Sequence, residues 1–400
     1  MSRTVFLRPD SSLVFRSGRP FGAADASGGA DSFAFPMPAT VAGALRAAWC
    51  DAVGHTHQAH DQLLQRILVR GPLACTRARQ PRLWLPRPLD AILVASGDRR
   101  EWRRLSPDPH AQGCGSDLPL GLLPVQGVVP DAVADAPAYW SSDAVANWLA
   151  GGLPGTLAAG QSRAAFPSDR RIHNQVDSQR QQVVDGALYF SKGIEFAAAG
   201  DEEEGAAEHG LLMWVDAPAE VLEGFSKLNR RHFRLGADGR NAACLELDPV
   251  APLDGQCPAG PNGLAERLDG VKQGGCIRLM LATPACYLRN GWYPDGLVPV
   301  GAGSAAQAEG ELVGLPGWRF RLVAAALGRF LAAAGIGMRN SAGERQSTIR
   351  PLRHLVPAGS VYWLEVLQRG DTNLSSRWLQ STCRTEYARD GHGLGLFGLA

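Results

Sequence analysis

PATVAGALRAAWCDAV, residues 38–53, is the run whose reading decides the fold. Pro38 suits the first turn of a helix, where its missing N–H is no loss, and Val41, Leu45 and Ala48 fall on one helical face. Gly43 is read as a place where a sheet can approach closely. Upstream, Thr4-Val5-Phe6-Leu7-Arg8 alternates as a strand that Pro9 stops. Leu13 to Arg16 resumes an extended segment, and Ser17-Gly18-Arg19-Pro20 makes a tight turn flanked by arginines. Strand, turn and helix in this order open a βαββαβ unit.

Working outward, Asp61 to Leu68 predicts a short helix broken by Gly71-Pro72, and the frequent prolines and glycines from Pro81 to Pro137 predict an irregular insertion. Ser142-Asp143 caps a further helix. Gly186 to Phe190 reads as the return strand of a hairpin. Leu211 to Val215 is an apolar strand, Pro218 to Leu228 a helix, Phe233 to Arg240 a glycine-bounded turn, and Ala243 to Leu247 a strand that completes a first αβ sandwich. A chain of 400 residues exceeds the usual size of one core, so two domains are expected. The first spans residues 1–250, with an insertion at about 81–160 and a hairpin at about 163–196. A Pro/Gly-rich linker at 249–263 leads to the second, 264–400, with strands at Cys276 to Ala282 and Val361 to Leu367, a strand or helix at Trp318 to Leu327, and a closing glycine-rich loop. The fold class is α+β.

Charge is nearly balanced at +1, yet three lysines (Lys192, Lys227, Lys272) leave 37 of the 40 cations as arginine. Residues 1–110 hold fifteen arginines against nine acids, while 201–223 hold eight acids and no Lys or Arg. A basic front and a separate acidic patch permit nucleic-acid binding on one face without requiring it, and a GC-rich genome would produce the same arginine bias. The eight cysteines show no CxxC pair, which fits scattered thiols in a reducing compartment. No long uncharged apolar run is present, and Met1 to Pro9 has no apolar signal segment. The expectation is a soluble cytoplasmic protein without membrane association, metal or cofactor.

Chemistry concentrates in RAAFPSDRRIHNQVDSQRQQVVDGALYFSKGIEF, residues 163–196. Arg163, Arg170, Arg171, His173, Gln179 and Arg180 supply donors, and Phe166, Tyr189 and Phe190 supply flat apolar faces. Guanidinium groups grip phosphate oxygens and rings stack on unpaired bases, so the mixture suits RNA; an ordinary polar surface hairpin has the same composition. His173 beside Arg170, Arg171 and Tyr189 also admits a general base for metal-independent RNA cleavage. Gly391-His-Gly393-Leu-Gly395 has no helix after it, which excludes a dinucleotide loop. His55, His57 and His60 do not converge on one helical face, and Glu202-Glu203-Glu204 reads as a solvated loop.

Seven motifs in order are similar to one known family: FRSGRPFG (15–22), FPMPATVAGALRAAW (35–49), RRIHNQVDSQRQQVVDGALYF (170–190), LGADGR (235–240), LATPACYLRNGWYPD (281–295), VPAGSVYWLEV (356–366) and the glycine-rich tail. The chain resembles the third-subunit family of the Cmr module, repeat-associated RAMP proteins of type III-B CRISPR effector complexes. The resemblance implies two tandem ferredoxin-like, RRM-related domains in a non-catalytic subunit. Such a subunit holds the 5′ handle of the crRNA, meets the large Cas10-type subunit and begins the backbone of RAMP subunits. It implies further that Arg16, Arg19 and Phe21 lie in an RNA-contacting loop, Arg46 on the first helix, and Arg170, Arg171, His173 and Arg180 on a thumb-like hairpin, with Arg240 and His392 as additional contacts. Two readings remain beside it, a RAMP endoribonuclease using His173 or His392 with Tyr189, and a subunit that touches only protein. LGADGR stands where the family has LGGEGR, Ala334-Gly335-Ile336-Gly337 replaces its Ser-Gly-Trp, and in 98–137 no match to the family is recognised.

Overall fold

The computed structural model describes residues 2–18, 32–54, 61–78, 81–97, 99–110, 120–125, 132–152, 155–177, 179–196, 208–237, 241–246, 256–257, 263–301, 306–337, 348–384 and 386–400. They form two compact units, each assembled from separated segments: Met1–Pro81, Phe166–Asp248 and Leu331–His354 in the first; Arg82–Ala165, Pro249–Phe330 and Leu355–Ala400 in the second. The units therefore interleave along the chain, where the sequence reading places one boundary near 249–263. The segment read as an insertion of the first domain is part of the second unit. Most of the linker candidate lies outside the described residues.

With elements numbered along the chain, the first unit contains β1 (Ser2–Pro9), α1 (Pro38–Val53), α2 (Asp61–Gln65), β2 (Leu68–Arg77), β8 (Ser168–Val176), β9 (Val183–Ile194), β10 (Glu208–Asp216), α4 (Ala219–Ser226), β11 (Arg231–Arg234), β12 (Asn241–Glu246), β17 (Leu331–Gly337) and β18 (Thr348–Leu355). Its main sheet runs β11-β12-β1-β10-β2, antiparallel throughout. Val5, Phe6 and Leu7 of the central strand are all buried, so β1 is covered on both faces. The helix at 38–53 begins on Pro38 and ends at Gly54, whose φ of 70° is the left-handed C-terminal conformation that glycine adopts without strain. Pro38, Val41, Ala42, Leu45, Ala48, Trp49 and Cys50 are its buried residues. A side chain at Gly43 would meet nothing, contrary to expectation. The close approach is on α4, where Cβ of any residue replacing Gly224 would run into Trp49, whose Nε1 donates to Val221 O at 2.9 Å. Gly71-Pro72 does not end an element either. It sits inside β2, where the register against β10 shifts between Leu212 and Trp214, and such a bulge accommodates a residue with no N–H.

The second unit contains β3 (Arg82–Pro86), β4 (Ala91–Ser96), β5 (Arg99–Arg104), β6 (Tyr139–Ser141), α3 (Ser142–Leu149), β7 (Ser162–Arg163), α5 (Leu264–Asp269), β13 (Cys276–Leu281), β14 (Leu297–Val300), β15 (Gln307–Gly310), β16 (Arg319–Ala326), β19 (Val361–Gln368), β20 (Gln380–Ser381) and β21 (Leu394–Leu399). The larger sheet runs β14-β15-β16-β19-β13-β21-β20. Its core order β16-β19-β13-β21 repeats that of β2-β10-β1-β12 when each set of four is counted along the chain. Here the connections carry 3₁₀ turns, such as Leu288–Asn290 and Leu374–Arg377, and no α-helix is described between β13 and β21. Helical cover comes from far off in sequence: Leu149 of α3 lies against Gly398 of β21. The first helical residue is Ser142, and the cap is Ser141, whose Oγ accepts from Ala144 N–H.

A buried polar network holds this arrangement. Arg278 on β13 donates to Asp90 Oδ2 at 2.6 Å, to Trp148 O at 2.7 Å and to Leu399 O at 2.7 Å. Trp148 Nε1 donates to Asp90 Oδ1 at 2.8 Å, and Arg104 lies over the Trp148 ring at 4.2 Å. Burial lowers the Arg104 guanidinium to about 10. Asp90 and Arg104 come from the 81–137 stretch read as irregular and Trp148 from the helix read after it, and all three take part in this core network.

Candidate nucleic-acid interface

The hairpin β8–β9 forms a two-stranded sheet of its own in the first unit. Its base is fixed and its outer length is exposed. Leu13 N–H donates to Ile194 O at 3.0 Å and Ile194 N–H donates back to Leu13 O at 2.7 Å. Ser12 Oγ donates to Asp169 Oδ2 at 2.6 Å, and Phe166 packs on Phe196 with centroids 4.6 Å apart. Towards the tip, Ile172 is 65% exposed, and Val176 and Val183 also face solvent. The turn is held by Asp177, whose Oδ1 accepts from the N–H groups of Gln179 at 2.8 Å and Arg180 at 3.1 Å. Both of those side chains are exposed.

Alternation along the strands sorts the side chains onto two faces. On one, Arg170 and Ile172 lie opposite Lys192 and Phe190. The Arg170 guanidinium stands 4.0 Å from the Phe190 ring centre and has no hydrogen-bond or carboxylate partner among the described residues. On the other, His173 lies opposite Tyr189 with the rings stacked at 5.0 Å and 14°. His173 Nε2 and Ser191 Oγ share a 2.7 Å hydrogen bond, and Arg171 Nε donates to Asp169 Oδ2 at 2.6 Å. The first face thus offers cations beside a ring, and the second a stacked pair tied into the base.

The segment Ser12 to Arg16 is the hub. Besides meeting Ile194, it accepts from Ala237 N–H through Val14 O at 2.8 Å and from Phe33 N–H through Phe15 O at 2.8 Å. Arg16 is exposed and bridges to Ser32, and two residues on, Gly18 N–H donates to Ala332 O at 2.8 Å in β17. Gly18 is required there, because a Cβ would lie 2.6 Å from Leu352 and 2.7 Å from Ala334 N. Segments 181 and 223 residues from Leu13 and Val14 thereby bring Arg16, the hairpin and the 235–237 turn to one short stretch of chain. The edge strand β11, just before that turn, exposes Arg231 and Arg234. Neither these two nor Lys192 were singled out from sequence. The readable signal is RRHFR at 230–234, three arginines and a histidine in five residues with no acid.

Other nominated residues stand elsewhere. Arg163 is not on the hairpin: it belongs to β7 in the second unit, pairs with Tyr139, and lies over Trp84 at 5.5 Å. Arg46 is half-buried and donates to Ile67 O at 2.9 Å, tying α1 to the approach of β2. His392 is only 2% exposed, with Nδ1 3.0 Å from Pro284 O and its ring edge-on to Tyr387. Burial pushes its pKa down to about 4, with Asp390 partly opposing. The glycine-rich tail is a buried strand paired with β13, not a loop, so His392 is not presented for contact. Arg19, Phe21, Arg240 and His55, His57 and His60 lie outside the described residues. No helix is long and apolar enough to cross a membrane, and no metal-holding group of three His, Cys, Asp or Glu occurs, among the described residues.

These features define an α+β protein of two interleaved units with antiparallel sheets and a solvated hairpin of arginines and rings. A model of the CRISPR-associated protein family Cas_Cmr3 matches residues 5–400, and the chain belongs to that family. No curated protein matches it. It is similar to a chain of the type III-B Cmr-beta complex bound to cognate target RNA, at 12% identity and TM-score 0.45, covering 98% of this chain and 96% of that one. A chain of that complex with target RNA and AMPPnP matches at 11% identity and TM-score 0.43, covering 90% and 86%. A chain of the Csm3-Csm4 subcomplex of the type III-A CRISPR-Cas interference complex matches at 9% identity and TM-score 0.40, covering 100% and 99%.

Proposed function

We propose that this chain is a non-catalytic, RNA-binding subunit of a type III-B CRISPR interference complex, that it holds the 5′ handle of the crRNA, and that it joins the large Cas10-type subunit to the RAMP backbone. Each unit is read as a ferredoxin-like domain, the second having replaced its crossover helices with 3₁₀ turns and borrowed α3. The observation that carries the reading is the convergence on Ser12 to Arg16 of an exposed arginine, a firmly seated hairpin and the 235–237 turn. Phosphates are neutralised by Arg16, Arg170 and Lys192, with Arg231 and Arg234 at the nearby edge. A splayed base stacks beside Phe190 or on the His173–Tyr189 pair. Seating the hairpin by backbone pairs and the Phe166–Phe196 contact leaves little ordering to be done on binding.

The test is binding of a repeat-derived handle RNA to Arg170→Ala/Arg171→Ala. Affinity is expected to fall, with a shallower salt dependence and an unchanged fold. Arg170 should account for more of the loss than Arg171, which is already engaged by Asp169. Unaltered binding would remove the hairpin from the interface, and cutting of repeat RNA in EDTA by the purified chain would favour an endoribonuclease instead.

A further inference from the structure

The hairpin β4–β5 of the second unit contains RREWRR, residues 99–104, a run that neither the family motifs nor the proposed handle interface uses. Gly97, with φ of 61°, lies in the turn between Ser96 and Arg99, and all six residue pairs from Ala91↔Arg104 to Ser96↔Arg99 are in register. Strand alternation gives each position a distinct environment. Trp102 is buried and meets Trp140 edge-on at 4.7 Å, which in turn meets Trp148 at 5.4 Å. Trp102 N–H donates to Gly155 O at 2.9 Å, and Leu105 N–H donates to Asp90 O at 2.7 Å. The hairpin is therefore clamped to the core along its inner face.

Arg99, Arg100 and Arg103 are exposed, and none has an ion pair or side-chain hydrogen bond among the described residues. Glu101, half-buried between Arg99 and Arg103, makes no ion pair with either. We infer that this hairpin is a second, sequence-independent binding surface for a nucleic-acid phosphate backbone. No large apolar side chain of the hairpin is exposed: Leu93 and Trp102 on one face and Val94 on the other are buried. A protein partner is best served by an apolar centre inside a polar rim, whereas a phosphate backbone needs only cations. The absence of an exposed ring on β4 and β5 favours charge recognition over base stacking. Four residues of strand place Arg99 and Arg103 about 13 Å apart on one face, a span that meets separate phosphates rather than one. Because the tryptophan stack fixes the strands, only the arginine side chains lose freedom on binding.

The surface is tested on the full-length chain with a fluorescently labelled oligouridine, which carries no handle sequence, titrated at salt from about 50 to about 200 mM. Arg99→Gln/Arg100→Gln/Arg103→Gln is compared with wild type, with the Arg→Lys triple and with Arg170→Ala/Arg171→Ala. At about 0.7 per phosphate contact on a single strand, the two same-face contacts of Arg99 and Arg103 predict that the glutamine triple lowers the log–log salt slope by at least about 1.4, while the lysine triple retains it. An unchanged slope in the glutamine triple overturns the inference whatever the Arg170/Arg171 variant does, so this surface and the handle interface fail independently. Loss of a co-purifying protein subunit with unchanged oligouridine binding also overturns it, by showing an acidic protein partner. Thermal melts check that the variants fold, and if the triple does not, each single Arg→Gln change is expected to lower the slope by about 0.7.

Discussion

Two segments of this chain look alike on paper and differ completely in the fold. The hairpin β8–β9 and the terminal strand β21 with its preceding turn each offer a histidine beside a tyrosine. In the hairpin, His173 stacks face to face on Tyr189, and the strand β8 that carries it is exposed over most of its length. At the chain terminus, His392 is buried, edge-on to Tyr387, and its ring is held by Pro284 O. One histidine stands where a ligand can reach it and the other where only the protein can. Ligand contact is consequently a question for the hairpin, and stability a question for the terminal strand.

That contrast sets the expected outcomes of perturbing each region. The largest effect falls beside β21. Arg278→Ala removes the partner of fully buried Asp90 and the donor to Leu399 O, and urea unfolding should show a loss of about 3–5 kcal/mol. Acidification comes next. His392 in the folded chain titrates at about 4 instead of 6.5, so the unfolded state takes up the proton first as pH falls. Stability from this group is complete above about 6.5 and declines towards about 4, by up to about 3 kcal/mol at about 1.4 per pH unit. His392→Gln should flatten that part of the pH–stability profile. Gly398→Ala should cost about 1–3 kcal/mol in the same unfolding assay, because its Cβ would lie 2.7 Å from Leu149 Cδ2 and 2.9 Å from Leu149 O. Smallest of all is the effect of Arg170→Ala/Arg171→Ala on stability, within about 0.5 kcal/mol, although under the proposed function the same change is expected to weaken handle-RNA binding in a salt-dependent assay. A large loss of stability from the hairpin pair, or none from Arg278→Ala, would dissolve the distinction between the two regions.

Period and punctuation determined a good deal by themselves. Pro38 at the start and a one-sided apolar face specified α1, and the apolar runs at 211–215, 276–282 and 361–367 specified central strands, because each has a local signal within a few residues. The hairpin was legible from Gly186 to Phe190 as a return strand. Tertiary structure alone decided which segments share a unit. Asp90 is a polar residue in a proline-rich stretch, and its pairing with Arg278, 188 positions away, makes it part of the core. Gly71-Pro72 reads as a break and lies in a strand because β10 bulges opposite it. The glycines of the tail read as a loop and form a strand because Leu279 and Leu149 leave no room for side chains at 395 and 398. Burial is a property of what packs on a segment: Pro284, which meets the His392 ring, and the strands that gather around Ser12 to Arg16 come from distant stretches that no local pattern encodes.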